Sequence, residues 1–176
     1  VVASLSLAVA LTVMVTSFRG SVTAWLDVVL PADLYVRTAT STGSGDTAFL
    51  NPAFARAVAQ LPGVARVATQ RTTHLLLDPA RPAVALMARA IADAHRSLPL
   101  LGEALPVPQG QIGIFVSEPM VDLYGARPGS VMTLNLGGSS VQTATYCVAG
   151  VWRDYSRQGG AIVIDSADFE RLTHDT

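Results

Sequence analysis

The sequence predicts an α+β protein: an N-terminal transmembrane and stalk helix, then a mixed body of short strands and helices. Three observations predict it. Residues 1–18 form an uncharged apolar run, short alternating or buried apolar runs recur between Gly/Pro turns beyond residue 31, and helix start signals are interleaved among them.

Half of the 176 residues are apolar and 14% are charged, which is rich for a chain whose whole surface must be wetted. The cations are all Arg, with no Lys, and 12 of them against 13 carboxylates leave a formal charge of −1. That balance excludes general nucleic-acid binding, which needs a basic stripe or domain. The single cysteine, Cys147, excludes an intrachain disulfide and a cysteine-based metal cluster.

Residues 1–18 (VVASLSLAVALTVMVTSF) hold 13 apolar side chains, with only Ser and Thr between them. As a helix they span about 27 Å, close to the roughly 30 Å hydrocarbon core of a bilayer. A secretory signal would need a basic leader and a small-x-small cleavage site, and SFRGS supplies neither well. Without an initiator Met, the chain is expected to be a piece of a longer protein. The helical pattern continues past Phe18, because Val22, Trp25, Leu26 and Val29 share one face while Arg19, Ser21, Thr23 and Asp27 take the others. Pro31 ends it, since the residue before a proline is pushed out of the α region. Residues 1–30 therefore read as one helix that leaves the bilayer as a stalk, and the four apolar positions are the candidate coupling face.

Beyond Pro31, residues 33–38 (DLYVRT) alternate and predict a first strand, and the Gly/Ser/Thr-rich 39–47 predict a loop. Asn51-Pro52 supplies an N-cap and an N1 proline for a helix with the stripe Phe54, Val58, Leu61, closed by Pro62-Gly63. Residues 64–69, 73–77 and 83–90 predict strands, although ALMARAIADAHR also fits a helical period. The Pro/Gly-rich 98–108 predict a crossing between lobes. Residues 112–116 read as a buried strand, and Ser117 as the cap of a short helix ending at Gly125. Residues 131–136 and 141–152 predict a hairpin around Gly137-Gly138-Ser139-Ser140. A strand over 160–165 and a helix capped by Ser166 complete the chain, and no internal sequence repeat is visible.

Chemical motifs are sparse. Gly43-Ser44-Gly45-Asp46 cannot act as a phosphate loop without a Lys. Asp93-x-His95 lacks a third metal ligand, Ser117-Glu118 is better explained by capping than by nucleophilic chemistry, and Cys147 fits a small buried hydrophobe. No catalytic, cofactor-binding or metal-binding residue is predicted, and the chain is not expected to be an enzyme.

Two stretches carry a family resemblance. The junction Val15-Thr16-Ser17-Phe18-Arg19, then Trp25-Leu26 and Leu30-Pro31-Ala32-Asp33-Leu34-Tyr35-Val36, resembles the membrane exit of FtsX-type ABC transporter permeases. Val116-Ser117-Glu118, Tyr124 to Gly129, Val148 to Tyr155 and Ala161 to Asp165 resemble their MacB-like periplasmic core domain. The resemblance implies a permease segment with 1–30 as transmembrane helix and stalk and 31–176 as extracytoplasmic domain, on the outer side of a bacterial inner membrane. It implies a mixed, βαβ-containing first lobe of about 32–96 plus 146–176, carrying a smaller, mainly β inserted lobe of about 97–145. It further implies ATP hydrolysis in a separate cytoplasmic ATPase subunit, a second permease copy or homologue, contact with membrane lipid, a periplasmic adaptor or lipoprotein partner, and no nucleic acid. The substrate class it implies is a lipid, lipoprotein, peptide or small toxic compound, exported or extracted by ATP-driven motion. The alternative class is a membrane-anchored extracytoplasmic sensor or ligand-binding module, in which the helix is a tether only.

Overall fold

The computed structural model describes residues 2–38, 50–136 and 143–173. Helix α1 (Val2–Val29) is one unbroken helix of 28 residues, about 42 Å long. It is long and apolar enough to cross a membrane, and its residues 3–21 are all exposed. The last helical bond runs from Leu30 N–H to the Leu26 carbonyl at 2.7 Å, and Pro31 follows.

Residues 33–38 do not form the predicted strand. Leu34 is 78% exposed and Tyr35 and Val36 are both more than half exposed, so neither face of the alternation is buried. The Tyr35 hydroxyl instead accepts from Ala32 N–H at 3.0 Å, which folds the segment on itself. The loop expected over 39–47 lies outside the described residues. Helix α2 (Pro52–Ala59) starts where Asn51 predicts, with the Asn51 side chain accepting from Ala53 N–H at 2.8 Å. None of its residues is buried, so the stripe Phe54, Val58, Leu61 stays out of the core.

Residues 64–69 also form no strand; chain pairing begins only at β1 (Gln70–Leu75). A turn held by Asp78, whose carboxylate accepts from Ala80 N–H at 2.9 Å, leads to β2 (Val84–Arg89). The alternative helical period of this region is realised only after the strand, in α3 (Ala94–Ser97), which Asp93 caps. The Pro/Gly-rich stretch from 98 runs beside later strand residues, with Leu101 N–H on the Val151 carbonyl and Leu105 N–H on the Ala149 carbonyl. Then come β3 (Ile112–Ser117), α4 (Glu118–Tyr124), β4 (Val131–Asn135), β5 (Thr143–Trp152), β6 (Ala161–Asp165) and α5 (Ser166–Thr173).

All six strands form one mixed sheet in the order β1-β2-β6-β3-β5-β4. It takes strands from both sequence ranges expected to be separate lobes. The pairs β2/β6 and β3/β5 are parallel and the rest antiparallel, including the central β3/β6 pair. Two halves thus interlock: the β1/β2 hairpin pairs with β6, the β4/β5 hairpin pairs with β3, and each central strand runs into a short helix. The pattern is that of a pseudo-two-fold through the Phe115–Val163 pair.

Strand side chains alternate between two cores, as a period of two requires. Val84, Leu86, Ile114, Val116, Val148, Ile162 and Ile164 line one, closed by Met120 of α4 and Phe169 of α5. Ala85, Met87, Phe115, Ala149, Trp152 and Val163 line the other, covered by Leu98, Leu100 and Ala104 of the Pro/Gly-rich stretch. Ser117 sits at the N-cap of α4 without capping it. Its fully buried hydroxyl accepts instead from Ala161 N–H at 2.8 Å, tying the end of β3 to the start of β6. The last helix is likewise capped one residue earlier than predicted, by Asp165 accepting from Ala167 N–H at 2.9 Å. The second oxygen of Asp165 takes Ile91 N–H, so one carboxylate serves a helix start and the loop after β2.

Candidate functional site at the stalk joint

The last turns of α1 meet the sheet body beside α3 and the 153–160 connection from β5 to β6. Val22, Trp25 and Val29 of the predicted face are half-buried, whereas Leu26 stays 38% exposed. Val28, absent from the predicted set, is half-buried as well. At 100° per residue, Leu26 is turned that far from Trp25, so the docked face centres on Trp25 and excludes Leu26.

Trp25 makes the polar contact of this face. Its indole Nε1–H donates to the Arg153 carbonyl at 2.9 Å, and its ring meets that of Tyr155 edge-on at a centroid distance of 5.4 Å. Such aromatic pairs are worth about 0.5–1.5 kcal/mol beyond area burial. Arg153 is held on three further sides. Its N–H donates to the Pro99 carbonyl at 2.9 Å, its guanidinium lies 3.6 Å from Glu118, and it stands 6.0 Å from the Tyr155 ring centroid. Glu118 opens α4, directly after Ser117, whose register partner is Trp152 at the end of β5. The last turns of α1 therefore dock where the parallel strands β3 and β5 end together.

The turn beyond is set by Asp154, a buried carboxylate. It accepts from Ser156 N–H at 2.9 Å and Ser156 Oγ–H at 2.7 Å, and pairs with Arg157 at 3.0 Å. Beside the joint, Arg89 donates to the Ser97 carbonyl at the end of α3 at 3.2 Å. Burial holds its guanidinium below the usual arginine range, against an opposing electrostatic pull from Tyr35.

The remaining motifs form no chemical site. Asp93 is used by His95 N–H as a cap, Cys147 is buried in β5, and Gly43–Asp46 fall outside the described residues. Among the described residues, no cluster of His, Cys, Asp and Glu could hold a metal. Arg153, Asp154 and Tyr155 were not singled out as site residues by their chemistry; the readable signal was Asp154-Tyr155-Ser156, an Asp two residues before a Ser that fits an Asx-turn.

With this geometry in view, the chain is 29% identical over 182 aligned residues to the uncharacterised ABC transporter permease protein Rv0987 of Mycobacterium tuberculosis. This similarity supports kinship with ABC transporter permeases. It covers 98% of the chain, the apolar helix included, and the chain spans about a fifth (21%) of the length of that curated relative. No family model matches the chain.

Proposed function

We propose that the chain is the first membrane helix and extracytoplasmic domain of an FtsX-type ABC transporter permease with a MacB-like core, and that it carries ATP-driven motion out of the membrane. The observation behind this reading is the unbroken α1, docked at its far end on the sheet through Trp25. A rigid helix about 42 Å long turns a small tilt at the membrane into a displacement of several ångström at the body. In this reading a separate cytoplasmic ATPase subunit supplies the hydrolysis, a second permease copy completes the transporter, and residues 31–176 face away from the cytoplasm. The transported molecule is a lipid, lipoprotein, peptide or small toxic compound, exported or extracted with help from a periplasmic adaptor or lipoprotein.

The test is a Gly-Gly insertion after Gly20 in the whole permease, assayed by rescue of the deletion strain. Two glycines cost the helix about 2 kcal/mol locally and swivel the stalk by about 200°. Transport fails while the protein still inserts, folds and assembles with its ATPase. Full rescue would leave α1 a simple tether and favour an anchored sensor or ligand-binding module.

A further inference from the structure

We infer that Asp154 is the positioning residue of the stalk joint: its buried carboxylate shapes the turn after β5 so that the Arg153 carbonyl and the Tyr155 ring face Trp25. The inference rests on reading that joint as the place where motion enters the body.

A buried carboxylate is costly unless its oxygens are satisfied. The Asp154 side chain is fully shielded from solvent, and its hydrogen bonds end on Ser156 and Arg157. None of those partners belongs to β5, β6 or a helix, so the carboxylate defines the turn and leaves the ladders to hold themselves. Its two chain neighbours are the residues that hold Trp25, Arg153 through its carbonyl and Tyr155 through its ring. The Arg153 carbonyl belongs to the planar peptide that joins Arg153 to Asp154, so its direction follows the backbone of Asp154. On the other side, Arg153 N–H is tied to the Pro99 carbonyl at 2.9 Å. The peptide that receives the indole is thus clamped at both ends, by the 98–101 stretch before it and by the Asp154 turn after it. The contact with the stalk is by contrast half-exposed, with Tyr155 53% accessible, so the stalk can leave without opening the core.

The experiment measures the angle of the stalk on the body in the whole chain, embedded in lipid nanodiscs. Nitroxides at Ser21→Cys and Glu170→Cys occupy exposed positions on α1 and α5, while buried Cys147 stays unlabelled. Dipolar spectroscopy of the otherwise wild-type chain gives one narrow distance. Asp154→Ala widens that distribution at least twofold, and Trp25→Ala widens it equally. The double variant is no wider than either, because both remove the same restraint. Asp154→Asn, which keeps an acceptor for Ser156 N–H, restores most of the narrow distribution, and Ser156→Ala/Arg157→Ala, which removes two of the three partners of the carboxylate, widens it and serves if Asp154→Ala does not fold. A distribution that stays narrow in Asp154→Ala, or in Ser156→Ala/Arg157→Ala where the former does not fold, overturns the inference, as does additive widening, which marks Asp154 as a stabiliser of the turn alone. None of these readouts involves transport. A narrow Asp154→Ala distribution with a failing Gly-Gly insertion removes only the positioning role, and a broad one with full rescue of the insertion removes only the coupling function.

Discussion

Ser117 shows how one hydroxyl can be read correctly by place and wrongly by partner. Its position before Glu118-Pro119 marks a helix start, but β3 and β6 bring Ala161 N–H close enough to take the oxygen at 2.8 Å. That partner is 44 residues away and has no local sequence signature. Ser117→Ala leaves a buried N–H unsatisfied and lowers stability by about 1–3 kcal/mol, more than a typical lost cap; chemical denaturation in detergent measures it. Tyr146, 1% exposed, is held above the usual tyrosine range by burial and then by the nearby Asp168 carboxylate. Its neutral form is therefore the native one. Because the folded state keeps this proton where the unfolded state loses it, stability is full below about pH 10 and declines as pH rises above that value. Tyr146→Phe flattens this alkaline limb in thermal melts recorded from pH 8 to 11, and leaves the limb below pH 9 unchanged.

At the scale of elements, buried runs were more legible than alternating ones. β2, β3 and β6 are continuous apolar runs with both faces covered, and the sequence reading places all three. Residues 33–38 and 64–69 carry strand-prone residues such as Val36, Val64 and Val67, yet pair with no strand among the described residues, since strand propensity reports a surface that fits a sheet and not the presence of a partner. Turn glycines separate two further effects. Gly125 ends α4 with φ of 67° and open space around it, so Gly125→Ala costs only the left-handed conformation, about 1–2 kcal/mol. Gly160, with φ of 95°, has no room either: a Cβ there would stand 2.6 Å from Met120 Sδ. Gly160→Ala is therefore the more damaging of the two, and because Met120→Ala removes the obstacle, Gly160→Ala/Met120→Ala costs less than the sum of the single losses. Melting temperatures of the wild type, the three single variants and the double variant decide it.

For the whole molecule, the long apolar helix α1 was readable because it depends on one short-range period, and its half-buried positions Val22, Trp25, Val28 and Val29 differ from the expected set in including Val28 and leaving out Leu26. The interlocked sheet was not readable: no repeat links 70–124 to 131–173 in sequence, and the pairing of each hairpin with the other half's central strand is set by contacts far apart along the chain. This interlocking bears on the proposed transmission. The joint at Arg153 lies between β5 and β6, which flank β3 on its two sides, so a push there reaches both halves at once. A body of this kind turns as a unit, and its orientation about the stalk is then fixed by the helical phase of α1. Inserting two alanines after Gly20 keeps the helix intact yet rotates the body by about 200° relative to the membrane segment. Inserting seven rotates it by about 700°, within 20° of two full turns, and raises it by about 10 Å. If orientation governs coupling, the two-residue insertion abolishes rescue of the deletion strain and the seven-residue insertion restores a substantial part of it. A tether would tolerate both, and a device governed by height would fail more severely with seven. Phase-dependent rescue at equal expression separates a rotating lever from either alternative.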